Sequence, residues 1–281
     1  MAELKGIPFI GSLGTLSAYK RKDSDKTFLR GKGGPSREKI MNDPQFELTR
    51  HNISEFGGRS KAGKGIRTAL IDLGHLADHN ISASLNTLLR KIQVADSVSL
   101  RGQRMIELSK YASLLQGFNF NQKHPFDSVV RIPVNCAIDK GTLSTKFTIP
   151  ELLPEINLFI PNKSPLFQFK VTLGAVPDCI YLKELKLYDV SDPTKSLIDN
   201  RAFMETEWVP SSIGCKMQEI ELKLPNPIKA SVYTIVVGIG IQYGTLGAGA
   251  VIEPVKDAGS AKVIGTMGVY QEAMIQPNNY K

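Results

Sequence analysis

No stretch of this sequence approaches the run of about 18 apolar residues that a membrane-crossing helix needs, so no membrane span is expected. The opening residues, MAELKGIPFIGSLGTLSAYK, also lack the unbroken apolar core of a secretory signal. Glu3 stands close to Lys5, and Gly6, Pro8, Gly11 and Gly14 interrupt the run. The expected address is the cytoplasm, or an assembly released from the cell without a cleaved signal. Cysteine is sparse: Cys136, Cys179 and Cys215 are 43 and 36 residues apart, which gives neither a disulfide framework nor zinc-ligand spacing. Each lies in or beside an apolar run and is expected to be a buried free thiol, as in a reducing compartment.

Catalytic motifs are lacking too. There is no Gly-x-Ser-x-Gly elbow, no cysteine has a motif-like histidine nearby, and Glu205 and Glu207 beside Trp208 fit a solvated same-face strand pair. The stretch EFGGRSKAGKGIRTAL comes near a phosphate-binding loop, with Gly58 followed at five residues by Gly63-Lys64. Gly65, however, stands where a Mg²⁺-holding hydroxyl belongs, and the segment upstream is helical in pattern rather than a strand. In DLGHLADH, His75 and His79 have the i, i+4 spacing of metal ligands with Asp72 near, but Gly74 weakens the helix they need, and a loop-capping role fits better. No enzyme, nucleotide, metal or cofactor is therefore expected.

What is present is a folded chain, 42% hydrophobic, with its positive charge on one side of the sequence. Residues 1–112 hold 19 Lys/Arg against 11 Asp/Glu, and residues 113–281 hold 16 of each. Such asymmetry steers a protein toward nucleic acid, an anionic surface or the acidic face of a neighbouring subunit. The expected contact residues are Arg59, Lys61, Lys64 and Arg67, with Lys20, Arg21 and Lys22 upstream. Placed at 61, 64 and 67, three cations would line one side of the first turns of a helix, where the macrodipole favours anions.

Local patterns predict a hairpin with arms at 15–20 and 26–30 around Lys22-Asp23-Ser24-Asp25. Helical periodicity follows. A first helix starts at Asp43-Pro44, carries Phe46, Thr49, Ile53 and Phe56, and is stopped by Gly57-Gly58; a second spans about 61–73. A third places Ile81, Leu85, Leu88, Leu89 and Ile92 on one stripe with Asn80 or Ser82 as cap, and a fourth covers 103–115. After His124-Pro125 the period changes to two, in SVVRIPVNCAI, LFQFKVTL and QEIELKL, and VYTIVVGIGIQYG is apolar on both faces, as a central strand would be. The expected fold is α+β: a basic hairpin-plus-helical region at 1–120 and a C-terminal antiparallel β-sandwich, jelly-roll or Ig-like, at 121–281.

The run from Gly14-Thr15-Leu16 through Tyr19-Lys20 and Arg30-Gly31-Lys32 to Phe56-Gly57 resembles the opening of uncharacterised protein families common in Bacteroidota, over about residues 11–67. The resemblance implies a shared assembly or docking module and no particular activity. Together these features predict a non-enzymatic structural or interaction protein, a homo-oligomer or larger assembly, whose basic N-terminal region meets neighbouring subunits. The alternatives are nonspecific nucleic-acid or polyanion binding through that region, and a ligand- or carbohydrate-binding sandwich using Trp208, Tyr233, Tyr243 or the YGTLGAGA loop.

Overall fold

A computed structural model describes residues 2–3, 9–20, 26–191, 200–256 and 258–270. The chain divides into two compact units, Met1–Arg50 and His51–Lys281. In the first, Ala2–Glu3 (β1), Gly11–Leu13 (β2), Leu16–Lys20 (β3) and Thr27–Gly31 (β4) form an antiparallel sheet in the order β1-β4-β3-β2. The expected hairpin is its centre, paired from Leu16↔Gly31 to Lys20↔Thr27, while its turn at 22–25 lies outside the described residues. Tyr19 and Phe28 face each other across the strands with ring centroids 6.0 Å apart, and the Arg30 guanidinium lies 5.3 Å from the centre of the Tyr19 ring. Ala18 and Thr27 are the buried side chains among the described residues of this unit, whereas Ile10, Leu13 and Leu16 are exposed.

Ser36 then caps α1 (Arg37–Asn42), its hydroxyl accepting from the Lys39 N–H at 3.1 Å. Asp43 caps a 3-10 turn at Pro44–Phe46, and Arg50 Nη1 donates to the carbonyls of Ile40 and Asp43, each at 2.8 Å.

Glu47–Ala69 (α2) is one uninterrupted helix, not two helices separated at Gly57-Gly58. Its buried positions are Glu55, Gly58, Ala62, Gly63, Ile66 and Ala69, a helical period written mostly in small residues, while Ile53 and Phe56 of the expected apolar stripe are exposed. Gly58 serves as a contact rather than a stop: a Cβ there would sit 2.6 Å from the Tyr188 ring. The third expected helix is Ile81–Ala95 (α3), capped by Asn80, with Ile81, Leu85, Leu89 and Ile92 buried.

The expected fourth helix at 103–115 does not form. Ile106 instead exchanges backbone hydrogen bonds with Cys179, and only Ala112–Leu114 is a 3-10 turn. Asp178 captures an amide the helix would use, accepting from the Ser109 N–H and hydroxyl, and just upstream Asp96 holds the N–H groups of Val98, Ser99 and Met105.

Phe126–Val129 is a single turn, α4. The strands that follow pair antiparallel: Asn135–Asp139 (β5), Ser144–Ile149 (β6), Leu166–Val176 (β7), Cys179–Leu182 (β8), Leu187–Val190 (β9), Arg201–Glu205 (β10), Val209–Pro210 (β11), Gln218–Lys223 (β12), Val232–Leu246 (β13), Ile252–Pro254 (β14) and Ser260–Tyr270 (β15). Strand β13 is central as expected, pairing with β7 on one side and with β15 and β14 on the other. The sheet holding β10-β7-β13-β14 and β15 is a half-barrel. A register shift at Val237/Gly238, where β13 meets β15, is the kind of irregularity that bends a long strand. The α+β class is therefore observed, but the jelly-roll or Ig-like sandwich is not established.

One face of β13 (Tyr233, Ile235, Val237, Ile239, Ile241, Tyr243) packs with Phe167, Phe169 and Val171 of β7 against Phe147 and Ile149 of β6 and Ile220 and Leu222 of β12. This buries Tyr233 and Tyr243 in the core, so neither can line an open ligand site; the Tyr243 hydroxyl donates to the Phe159 carbonyl at 2.9 Å. The other face carries Gly238 and Gly240, and with Gly174 of β7 it receives the end of α2 and the 3-10 segment Ile71–Leu76. A Cβ at Gly238 would lie 2.6 Å from Leu73, and one at Gly174 2.8 Å from Ala69. Glycine here lets buried Leu70, Leu73 and Leu76 lie directly on the sheet, each contributing about 1.5–3 kcal/mol by leaving water. No helix among the described residues is long and apolar enough to cross a membrane.

Candidate functional site

The four cations expected to act together lie on α2, but in its middle and last turns. The helix begins at Glu47, so the positive end of its dipole is more than two turns away and gives Arg59, Lys61, Lys64 and Arg67 no help in attracting anions. At about 100° per residue the four fan around the helix instead of forming one row. Lys61 points to β9, donating to the Tyr188 carbonyl and to Asp189 Oδ1, both at 2.9 Å. That hydrogen bond holds the Asp189 carboxyl below its usual pKa.

Arg59 and Arg67 turn toward α3. Arg59 Nε donates to Asn86 Oδ1 at 2.8 Å and Nη1 to Gln93 Oε1 at 2.5 Å, with the guanidinium 5.8 Å from the centre of the Phe56 ring. Burial lowers its pKa from the usual arginine value, although a guanidinium remains charged in any case. Arg67 Nη1 donates to Ser82 Oγ at 2.9 Å. Lys64 is exposed and has no ion-pair partner among the described residues.

Two cavities follow this groove. One of about 530 Å³ is lined by Arg59, Arg67, Ser82, Asn86 and Thr87, and one of about 430 Å³ by Lys64, Arg67, His79, Asn80 and Ser82. Arg67 and Ser82 border both, and neither lining contains a carboxylate. Such an arrangement can hold an anion by charge-assisted hydrogen bonds, stronger than neutral ones. His79, on the lining of the second cavity, lies 2.7 Å from Asp78 Oδ1 through Nδ1 and 3.4 Å from Ser84 Oγ through Nε2. Lys20 is exposed at the end of β3; Arg21 and Lys22 lie outside the described residues.

Behind the groove is a buried polar knot that fixes α2 to α3. Glu55 Oε1 accepts from the Gly102 N–H at 2.9 Å, and Gln93 donates to the Arg104 carbonyl at 3.1 Å. The Tyr188 hydroxyl donates to that same carbonyl at 2.9 Å, and burial raises its pKa. Sequence reasoning missed Ser82, Asn86 and Gln93; their i, i+4, i+11 spacing beside the apolar stripe of α3 was the available signal.

No family model, curated protein or solved structure matches this chain.

The histidine cluster resolves into separate contacts. Asp72 pairs with Arg201 at 3.1 Å, and His75 Nε2 lies 3.1 Å from Gln242 Nε2, with burial, then Lys170, lowering the His75 pKa. Asp78 caps the loop at 122–123. Burial alone would raise its pKa, but hydrogen bonds from His79 and from the N–H groups of Lys123 and Gln122 outweigh this and take it to about 2. Among the described residues no group of three or more His, Cys, Asp or Glu could hold a metal ion. Glu205 pairs with Lys170 at 2.5 Å, and half-buried Trp208 lies over Gly244.

Proposed function

We propose that the protein is a non-enzymatic interaction subunit that self-assembles, its basic N-terminal unit docking on a second copy of the chain. The observation that supports this most strongly is how few side chains are buried among the described residues of that unit. Ordering a residue costs about 1–2 kcal/mol of backbone entropy, and Ala18 and Thr27, the buried side chains among those described residues, recover little of it. Exposed Ile10, Leu13 and Leu16 are the side chains a neighbouring copy would cover. On this reading the two facing sheets of the second unit act as a sandwich scaffold, and the protein works in the cytoplasm.

Light scattering after size exclusion tests it. The wild type is expected at a multiple of 30.9 kDa, and Leu13→Asp together with Leu16→Asp, both on exposed positions, is expected to return it to 30.9 kDa. An unchanged mass in the double variant would count against the docking role.

A second reading, binding of a polyanion such as nucleic acid, is favoured by the α2–α3 groove, where Arg59, Lys64 and Arg67 face cavities whose linings lack carboxylates. It predicts affinity that falls steeply with salt.

A further inference from the structure

A cleft of about 1240 Å³ lies between the 154–165 segment and the loop after β11, and it shares no lining residue with the α2–α3 groove. Part of its wall is apolar: Pro154, Leu158, Phe159, Ile160 and Pro165. They are also held in place. Leu158 is buried and bridges Val130, the Phe159 N–H donates to the Val129 carbonyl at 2.8 Å, and the Phe159 carbonyl accepts from Tyr243. Two non-glycine residues on its border, Glu155 at φ 65° and Lys163 at φ 51°, adopt the left-handed backbone that ordinary side chains rarely take.

Three polar features converge on these walls. Arg131 lies 5.5 Å from the centre of the Phe159 ring and is tethered by Nε to the Ser128 carbonyl at 3.2 Å; it has no carboxylate partner among the described residues. Lys163 is exposed on the same cleft and likewise forms no ion pair among them. Ser211 is 4% exposed, and its hydroxyl has no hydrogen-bond partner. A buried hydroxyl without a partner costs free energy, and rotation of the Ser211 side chain toward the cleft would let a ligand oxygen satisfy it. Mainly apolar walls with a few convergent polar groups are the usual make-up of a small-molecule site.

We propose that this cleft binds a small organic anion with an apolar body, of the class of medium-chain or aryl carboxylates. The anionic head meets Arg131 and Lys163, the body lies on Leu158, Phe159 and Ile160, and Ser211 supplies a hydrogen bond. Glu155, the carboxylate in the lining, opposes the head group.

Decanoate titrated calorimetrically into the full-length protein tests this, with decanol as the uncharged comparison. One saturable site is expected for decanoate, with decanol at least tenfold weaker. Arg131→Ala and Lys163→Gln, both on exposed side chains, should each weaken decanoate about tenfold, as loss of a charge-assisted contact would. Glu155→Gln should tighten it, and Arg59→Ala, on the α2–α3 groove, should leave it unchanged. Non-saturable uptake, equal affinity for decanol, or insensitivity to both cation substitutions would overturn the proposal. The opposite signs expected at Lys163 and Glu155 keep the outcome readable even if the Arg131 variant folds poorly.

Discussion

Neighbouring glycines of α2 should respond oppositely to the same change. Gly57 is exposed, with nothing within 4 Å of a built Cβ, and Gly58 lies against the Tyr188 ring, where a Cβ would come within 2.6–2.8 Å of three ring carbons. In a helix interior alanine is favoured over glycine by about 1 kcal/mol, so Gly57→Ala should stabilise the protein by up to that amount. Gly58→Ala gains the same propensity but must displace a ring whose hydroxyl is held by Gly102 and Arg104, and overpacking of that kind costs about 1–3 kcal/mol. The net effect at Gly58 is destabilisation of about 0–2 kcal/mol, and the two variants should differ by about 1–3 kcal/mol. Urea unfolding followed at 222 nm, with Trp208 fluorescence as a second probe of two-state behaviour, measures both. In melting temperature the difference is about 2–4 °C per kcal/mol for a unit of this size. Had the chain stopped its helix at Gly57-Gly58, alanine at Gly57 would destabilise; that result, or equal shifts at both positions, would refute a continuous helix seated on Tyr188.

Other expectations follow from the same contacts. Asp96, like Asp78, has a folded pKa of about 2, because amide and hydroxyl hydrogen bonds outweigh the opposing effect of burial, against about 3.9 in the unfolded chain. Its stabilisation, up to about 2 kcal/mol, is present above pH 4 and is lost as the pH falls toward 2; Asp96→Asn should flatten stability over that window in acid titrations of urea midpoints. Burial raises all three thiols, Cys179 to about 12, so a thiol reagent at pH 8 should reach half-buried Cys136 first and the buried Cys179 and Cys215 only on unfolding. If the groove binds polyanions, neutralising Lys64 and Arg67 should lower the salt needed to elute the protein from heparin, whereas Lys61→Ala, at a residue engaged with Asp189, should change it little.

Legibility in the sequence tracked the size and locality of the interactions. The stripe of α3 and the two-faced apolar run of β13 are written in large side chains at the right period, and both form as expected. The buried face of α2 is written in Gly58, Ala62, Gly63 and Ala69, which carry almost no hydrophobic signal, so glycines that act as contacts looked like a stop. The helical period at 103–115 was outweighed by the backbone pairing of Ile106 with Cys179 and by Asp178, which lies 69 residues from the Ser109 amide it holds. For the groove, charge alone pointed to Arg59, Lys64 and Arg67. Asn86 and Gln93, the partners of Arg59, and Ser82, the partner of Arg67, become visible only once α3 lies beside α2, and the separation of Lys61 onto β9 depends on a residue 128 positions away.

Sedimentation equilibrium of the wild-type chain, over a range of protein and salt concentrations, tests the self-assembly proposal most directly. Docking through the exposed Ile10, Leu13 and Leu16 predicts a mass that is a multiple of 30.9 kDa at high concentration, falls on dilution, and is not weakened by salt, which does not screen an apolar contact. A mass of 30.9 kDa at every concentration and every salt level would contradict it.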